Sequence, residues 1–170
     1  YHRGTRRPDA VRVGIVADTH DRLDAVERAV SAFRDRDVDT VIHCGDIESP
    51  GTVSRFEGFA FHAVLGNNDR DRAARLDEAI AALGRGSELH GRFADLTLDG
   101  TRFAVTHGLV EADTRAYAES GEYDFVLHGH FHETEETPVG DAVILNPGAH
   151  RSVVVLDTET GDYRFVDITA

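Results

Sequence analysis

The chain reads as an α/β protein, an α+β sandwich of two mixed β-sheets flanked by helices. Three observations lead there. Short, mostly β-branched apolar runs alternate with helical stretches early on, and the chain closes on a run of strands. An Asp99-Gly100 dipeptide joins two alternating segments, 92–98 and 101–106, which is a strong hairpin signal, so antiparallel pairs coexist with parallel ones. No internal repeat, low-complexity tract or linker divides the 170 residues, a length that suits one domain. That domain is expected over 11–170. Before it, residues 1–10 read as an N-terminal arm, because the basic start is followed by Pro8-Asp9 and not by the apolar run of a signal peptide.

The first strand is Val11–Ala17, ending in Asp18-Thr19-His20. Leu23, Val26, Ala29, Val30 and Phe33 then recur at helical spacing, giving a helix to about Arg36. Thr40–Cys44 is the second strand and runs into Gly45-Asp46; Pro50-Gly51 opens a loop and a short helical or irregular piece through Phe56. Phe61–Leu65 runs into Gly66-Asn67-Asn68-Asp69, and 71–83 carries Leu76, Ala79, Ile80 and Leu83 on one helical face. The hairpin follows, its second strand ending in His107-Gly108, then a weaker helix over 111–119. Phe125–Leu127 runs into His128-Gly129-His130-Phe131-His132, and from 135 onward the pattern is all strand, with Val143–Leu145, 152–157 and 163–168 the clearest.

Composition excludes several functions. Thirty-one acidic residues face 18 basic ones, giving a net charge of −13, which argues against sequence-independent nucleic-acid binding. All the basic residues are arginine, a bias that resembles proteins of salt-adapted archaea and that high genomic GC would also produce. No apolar stretch approaches the ~20 residues that span a bilayer. Cys44 is the only cysteine, so an intramolecular disulfide is excluded and a reducing, cytoplasmic setting is expected. A catalytic thiol at Cys44 is the weaker reading beside a small buried residue.

Five apolar runs end in potential ligands, and in α/β sheets ligands gather beyond the carboxyl ends of the strands. Each motif alone has an ordinary explanation: an Asp after a strand as a turn or cap residue, Gly-Asn-Asn-Asp as turn chemistry, His107 as a satisfied strand-end histidine. His130-x-His132 is the strongest single piece. Together they describe one polar pocket and a two-metal centre. A mixed Asp/Asn/His donor set suits Mn²⁺, Fe²⁺, Co²⁺, Ni²⁺ or Zn²⁺ better than Ca²⁺ or Mg²⁺.

The order D-x-H, GD, GNxD, H, GHxH resembles the calcineurin-like metallophosphoesterases over Val11 to about Ile168. The short length and Asn146-Pro147-Gly148 look like the small bacterial and archaeal phosphodiesterase branch, which includes a retromer subunit. The resemblance implies the metallophosphoesterase fold and two divalent transition-metal ions per chain, manganese first. Asp18, His20, Asp46 and His132 would hold one ion. Asp46 would bridge to the other, held by Asn67, His107 and His130. It implies hydrolysis of a small phosphodiester or nucleotide by attack of a metal-bound hydroxide, with Asp46, Asn67 and His107 among the catalytic groups.

One departure stands out. Many members read GNH at the third motif and use that histidine as the leaving-group acid; here the position is Asn68, whose amide is no proton donor of useful acidity. Asn68 and Arg151 are candidate substrate contacts, His43 and His128 candidate supports inside the metal motifs, and His150 the next candidate for the acid. Two other functions fit the same motifs: a phosphatase acting on monoesters or nucleotides, and a binding scaffold without chemistry, in which eroded ligands would be expected. A protein phosphatase is disfavoured, because Ile47-Glu48-Ser49-Pro50 follows Asp46 in place of the GDxxDRG signature. Oligomerisation is left open.

Overall fold

The computed structural model describes residues 10–169. Eleven strands and four α-helices follow one another as β1 (Arg12–Val16), α1 (Leu23–Asp35), β2 (Thr40–His43), α2 (Pro50–Ser54), β3 (Ala60–Ala63), α3 (Ala73–Ala82), β4 (Glu88–Leu89), β5 (Phe93–Leu98), β6 (Thr101–Thr106), α4 (Glu111–Glu119), β7 (Phe125–Leu127), β8 (Glu135–Val139), β9 (Ala142–Asn146), β10 (Ser152–Asp157) and β11 (Tyr163–Asp167). A six-stranded sheet has the order β11-β10-β1-β2-β3-β4, and a five-stranded sheet β5-β6-β7-β9-β8. Both are mixed. β1 through β4 run parallel with β10 antiparallel to β1; β6, β7 and β9 run parallel between antiparallel β5 and β8.

Strand periodicity decides which side chains meet. On β1, Val13 and Ile15 point between the sheets, where they pack with Ile42, Val105, Leu127, Leu145 and Val154. Val16, the neighbour on the other face, joins Val26, Val30, Phe33, Phe61, Leu76 and Ile80 beneath the helices α1 and α3. On the far side of the second sheet, Ala118 of α4 meets Ala104, Val126 and Ile144. The layers are helix, sheet, sheet, helix, which is the sandwich expected.

Most elements fall where the pattern puts them. The hairpin pairs Leu98 with Thr101 across Asp99-Gly100, both at positive φ (48° and 79°), as a type I′ turn requires. Three details differ. The helix expected over 71–83 is a 3-10 turn at Asn67–Arg72 followed by α3, because residues 66–69 are occupied with the GD loop described below. β4 has two residues, too few for a periodic signal. β8 contains Pro138, tolerated because β8 is an edge strand. Of the arm expected over 1–10, only Ala10 is among the described residues, and it is buried. No described helix is long and apolar enough to cross a membrane.

Candidate metal centre

The carboxyl ends of β1, β2 and β3 open on the same edge of the sandwich as those of β6 and β7, and the five loops that follow meet there. Asp18 is the centre of this meeting. It is fully buried, and its Oδ2 accepts the backbone N–H of His130 at 2.8 Å. Its Oδ1 is buried with no hydrogen-bond partner among the described residues. Three imidazole nitrogens face that oxygen: Nε2 of His132 at 3.6 Å, of His107 at 3.7 Å and of His20 at 3.8 Å. Burial pushes the Asp18 carboxyl above its usual range, against the pull of His107. An orphaned carboxylate oxygen ringed by nitrogens is an incomplete polar network. A cation completes it.

Asp46 occupies the space between the two halves of the cluster, with Oδ2 3.2 Å from His107 Nε2 and 3.5 Å from His20 Nε2. Burial would raise its carboxyl, but hydrogen bonds from His107 and the Asn68 backbone outweigh it and hold the group at about 2. Asn67 Oδ1 lies 3.1 Å from His107 Nε2, and the His130 ring packs edge-on against the His107 ring at 5.1 Å. His20 and His132 approach within 3.3 Å through their Nε2 atoms. The donor atoms fall into two groups, Asp18/His20/His132 and Asp18/Asp46/His107, which share Asp18, while Asp46 also lies between His20 and His107. Five of the seven residues singled out as ligands thus bring donor atoms together, Asn67 joins them through His107, and His130 adjoins the cluster by the contact of its ring with that of His107.

The tautomers are set for ligation. The His107 Nδ1–H donates to the Cys44 carbonyl at 2.8 Å, which leaves Nε2 toward the oxygens of Asn67, Asp46 and Asp18. Burial alone would lower its pKa; hydrogen bonding to Asp46 reverses that and raises it. Those oxygens demand positive charge at Nε2, either a proton or a metal ion. The His20 Nδ1–H donates to the Glu48 carboxylate, leaving Nε2 toward Asp18 and Asp46. Behind them, the Gly45 N–H donates to His43 Nδ1 at 3.1 Å, so the Nε2–H of His43 donates to the Thr19 hydroxyl at 3.0 Å. Burial depresses His43 to about 3, keeping it neutral. The loops after β1 and β2 are thereby tied together.

Two glycines are required by close approach. A Cβ on Gly66 would lie 2.1 Å from Asp46 Oδ1, and one on Gly129 would lie 2.6 Å from Asp18 Oδ2. Of the candidate ligands, Asp18, His20, Asp46, His130 and His132 have positive φ, a conformation costing about 1–3 kcal/mol in a non-glycine residue.

Two supporting residues lie outside the expected set. Asp69 is fully buried, and its carboxylate accepts backbone N–H groups from Asp46 (2.8 Å), Ile47 (3.1 Å), Glu48 (2.8 Å) and Gly66 (3.0 Å). It fixes the loop that carries Asp46. Glu48 orients His20 and is itself held through its carbonyl by Arg72 Nη1 at 3.0 Å. The only sequence signal for Asp69 is its place three residues after Gly66, where it reads as turn chemistry; Glu48 gives none. Glu48→Ala is expected to weaken metal binding about 10–100-fold, with Glu48→Gln intermediate, as titration calorimetry would measure. Equal affinities in all three proteins would remove Glu48 from this role.

The remaining candidates divide. Asn68 donates to both Asp46 oxygens, from its backbone N–H to Oδ1 at 3.0 Å and from its side-chain amide to Oδ2 at 3.3 Å. Arg151 is exposed in the turn after β9 and lines a separate surface cavity with Glu136 and Asp167. His128 is hydrogen-bonded to Glu135 at 2.6 Å. Cys44 is buried and its thiol is pushed far above the ordinary range by burial, so it provides no thiolate nucleophile.

A family model described as the calcineurin-like phosphoesterase superfamily domain matches residues 11–169. The chain belongs to this superfamily. Among curated members it is 34% identical to a phosphodiesterase of Methanocaldococcus jannaschii, over 91% of this chain and 97% of that one. Among solved structures, one described as a novel archaeal phosphodiesterase superposes with a TM-score of 0.85 at 32% identity, covering 92% of this chain and 99% of that one. A phosphoesterase from E. coli shares the fold at 19% identity, with a TM-score of 0.63, covering 94% of this chain and 100% of that one. For a calcineurin-like phosphoesterase, the orphaned Asp18 oxygen and its ring of histidines are the feature that divalent metal ions explain.

Proposed function

We propose that the protein is a dinuclear metal-dependent phosphodiesterase in which Asp18, His20, Asp46 and His132 hold one ion and Asp46, Asn67, His107 and His130 the other. The observation that carries the reading is the buried Asp18 Oδ1, which has no partner among the described residues and faces three imidazoles. When bound, two such ions supply the Lewis acidity that activates water and clamps a phosphoryl oxygen. The protein's own groups do the positioning. Asp69 holds the Asp46 loop, Asn68 steers the Asp46 carboxylate, and Glu48 and the Cys44 carbonyl fix the tautomers of His20 and His107. The Asp/Asn/His donor set suits Mn²⁺, Fe²⁺, Co²⁺, Ni²⁺ and Zn²⁺ alike, and the family resemblance puts manganese first. The direct test reloads chelated protein with each ion and assays aryl diesters, cyclic nucleotides and monoesters. Diester hydrolysis restored by a transition metal supports the reading; activity that survives excess chelator, or a preference for monoesters, overturns it.

Asn68 predicts a particular kinetic signature. With an amide at this position committed to Asp46, no acid there protonates the leaving group. Rates should therefore fall steeply as leaving-group pKa rises. Asn68→His should flatten that dependence, with a gain of up to ~10²–10⁴-fold for poor leaving groups. A shallow dependence in the unmodified protein would place the acid elsewhere, and His150 would be the next residue to replace.

The arginine-only composition and net charge of −13 support a halophilic setting, and the single Cys44 supports a reducing, cytoplasmic one. Repulsion among carboxylates is screened at high salt, where the Debye length falls to ~3 Å at 1 M, so the melting temperature should rise with KCl. Indifference to KCl would favour genomic GC as the origin of the bias.

A further inference from the structure

A cavity of about 360 Å³ lies beside the metal-ligand cluster, between the first half of α4 and the segment 128–135. Both walls grow out of ligand motifs. Glu111, which opens α4, stands four residues after His107, and Phe131 sits between His130 and His132. The Phe131 side chain is 50% exposed, and its ring packs edge-on against His130 at 5.1 Å and against cavity-lining His128 at 6.2 Å. One aromatic ring thus borders both the ligand cluster and the cavity.

The lining selects a ligand by charge. Glu111, Glu133 and Glu135 outnumber Arg115, so a second phosphate is repelled. Glu135 is engaged by His128 and by the Thr137 hydroxyl, whereas Glu111 and Glu133 have no side-chain hydrogen bond or ion pair among the described residues. Two free carboxylates beside an exposed aromatic face suit a neutral planar ring that carries N–H donors. We propose that this cavity is a specificity subsite for the amino-bearing nucleobase of a mononucleotide diester. The base stacks on Phe131, its exocyclic amine donates to Glu111 or Glu133, and its phosphodiester reaches the metal cluster. The inference rests on the phosphodiesterase reading and names its substrate class. A polynucleotide is disfavoured by the net charge of −13.

The test uses a pair of bases of equal size, one with an amine and one with a carbonyl at the same ring position. Cytidine and uridine 5′-(p-nitrophenyl) phosphates are compared with methyl p-nitrophenyl phosphate, using metal-loaded protein with bound metal measured for each variant. The cytidine ester is expected to exceed the uridine ester in kcat/KM by about ten-fold. Phe131→Ala should lower the cytidine-to-methyl ratio by about ten-fold, the scale of one lost base–aromatic stack. Glu111→Gln with Glu133→Gln should erase the preference for cytidine over uridine. Ligand-detected NMR gives a readout independent of catalysis: cytidine should bind the protein before metal loading, and Phe131→Ala should abolish that binding. Equal ratios in all proteins, or no cytidine binding, would overturn the subsite. Cytidine binding without hydrolysis of any ester would instead overturn the phosphodiesterase reading.

Discussion

Asp46→Ala is expected to lower kcat/KM for an aryl diester by well over a hundred-fold, and to reduce bound metal from two ions toward one or none. The first number exceeds the 10–100-fold typical of residues that only orient a ligand, because Asp46 contacts both halves of the cluster. His20→Ala provides the contrast. His20 groups with Asp18 and His132, whereas His107 groups with Asp18 and Asp46, so the loss of His20 should leave part of the second site. Elemental analysis of the purified variants, beside kinetics, separates the two. An Asp46→Ala protein that kept two ions and most of its activity would show that the shared carboxylate is Asp18, which both groups of donor atoms contain.

Asp69→Ala should produce the largest loss of stability. The substitution leaves four backbone N–H groups without their acceptor, in a site where Asp69 is fully buried. A buried donor left unpaired costs about 1–3 kcal/mol. Water entering the vacated volume offsets part of this, which leaves a net loss of about 3–5 kcal/mol. For a domain of this length that is a fall in melting temperature of roughly 10 °C. Asp69→Asn should cost less, since its amide oxygen can still accept from Asp46, Ile47 and Gly66 while its NH2 opposes only the Glu48 N–H. Both variants should lose metal affinity as well, because the loop they loosen carries Asp46. A variant melting within a few degrees of the parent, with normal metal content, would mean that solvent or neighbouring groups satisfy those amides.

What the chain reveals in one dimension and what it hides follow a physical division. Strands are legible in runs such as Val41-Ile42 and Val126-Leu127, whose side chains must leave water, and the candidate ligands stand out because their motifs close such runs. Helix α4 was bounded at 111–119 by its weak periodicity, and the hairpin by Asp99-Gly100. Asp69 and Glu48 stayed hidden because their partners are backbone amides and a ring nitrogen, groups that carry no residue signature and become neighbours only after folding. The 3-10 turn at 67–72 was missed for the same reason: Asp69 is drawn toward the GD loop, which delays α3 until Ala73. Arg151, prominent in sequence beside Asn146-Pro147-Gly148, is exposed in the turn after β9 and lines a surface cavity with Glu136 and Asp167.

The left-handed backbone at Asp18, His20, Asp46, His130 and His132 bears on how such a site can change over evolutionary time. Asp, Asn and His are the non-glycine residues that most readily enter this region, and they are also the residues that bind borderline metals through oxygen and nitrogen. Conformational tolerance and coordination chemistry therefore select the same short alphabet at these positions. Exchange for glutamate or cysteine, ordinary ligands in other proteins, would face a backbone that disfavours both before any metal is considered. A donor at these positions is therefore expected to be easier to lose outright than to exchange for a donor of another kind.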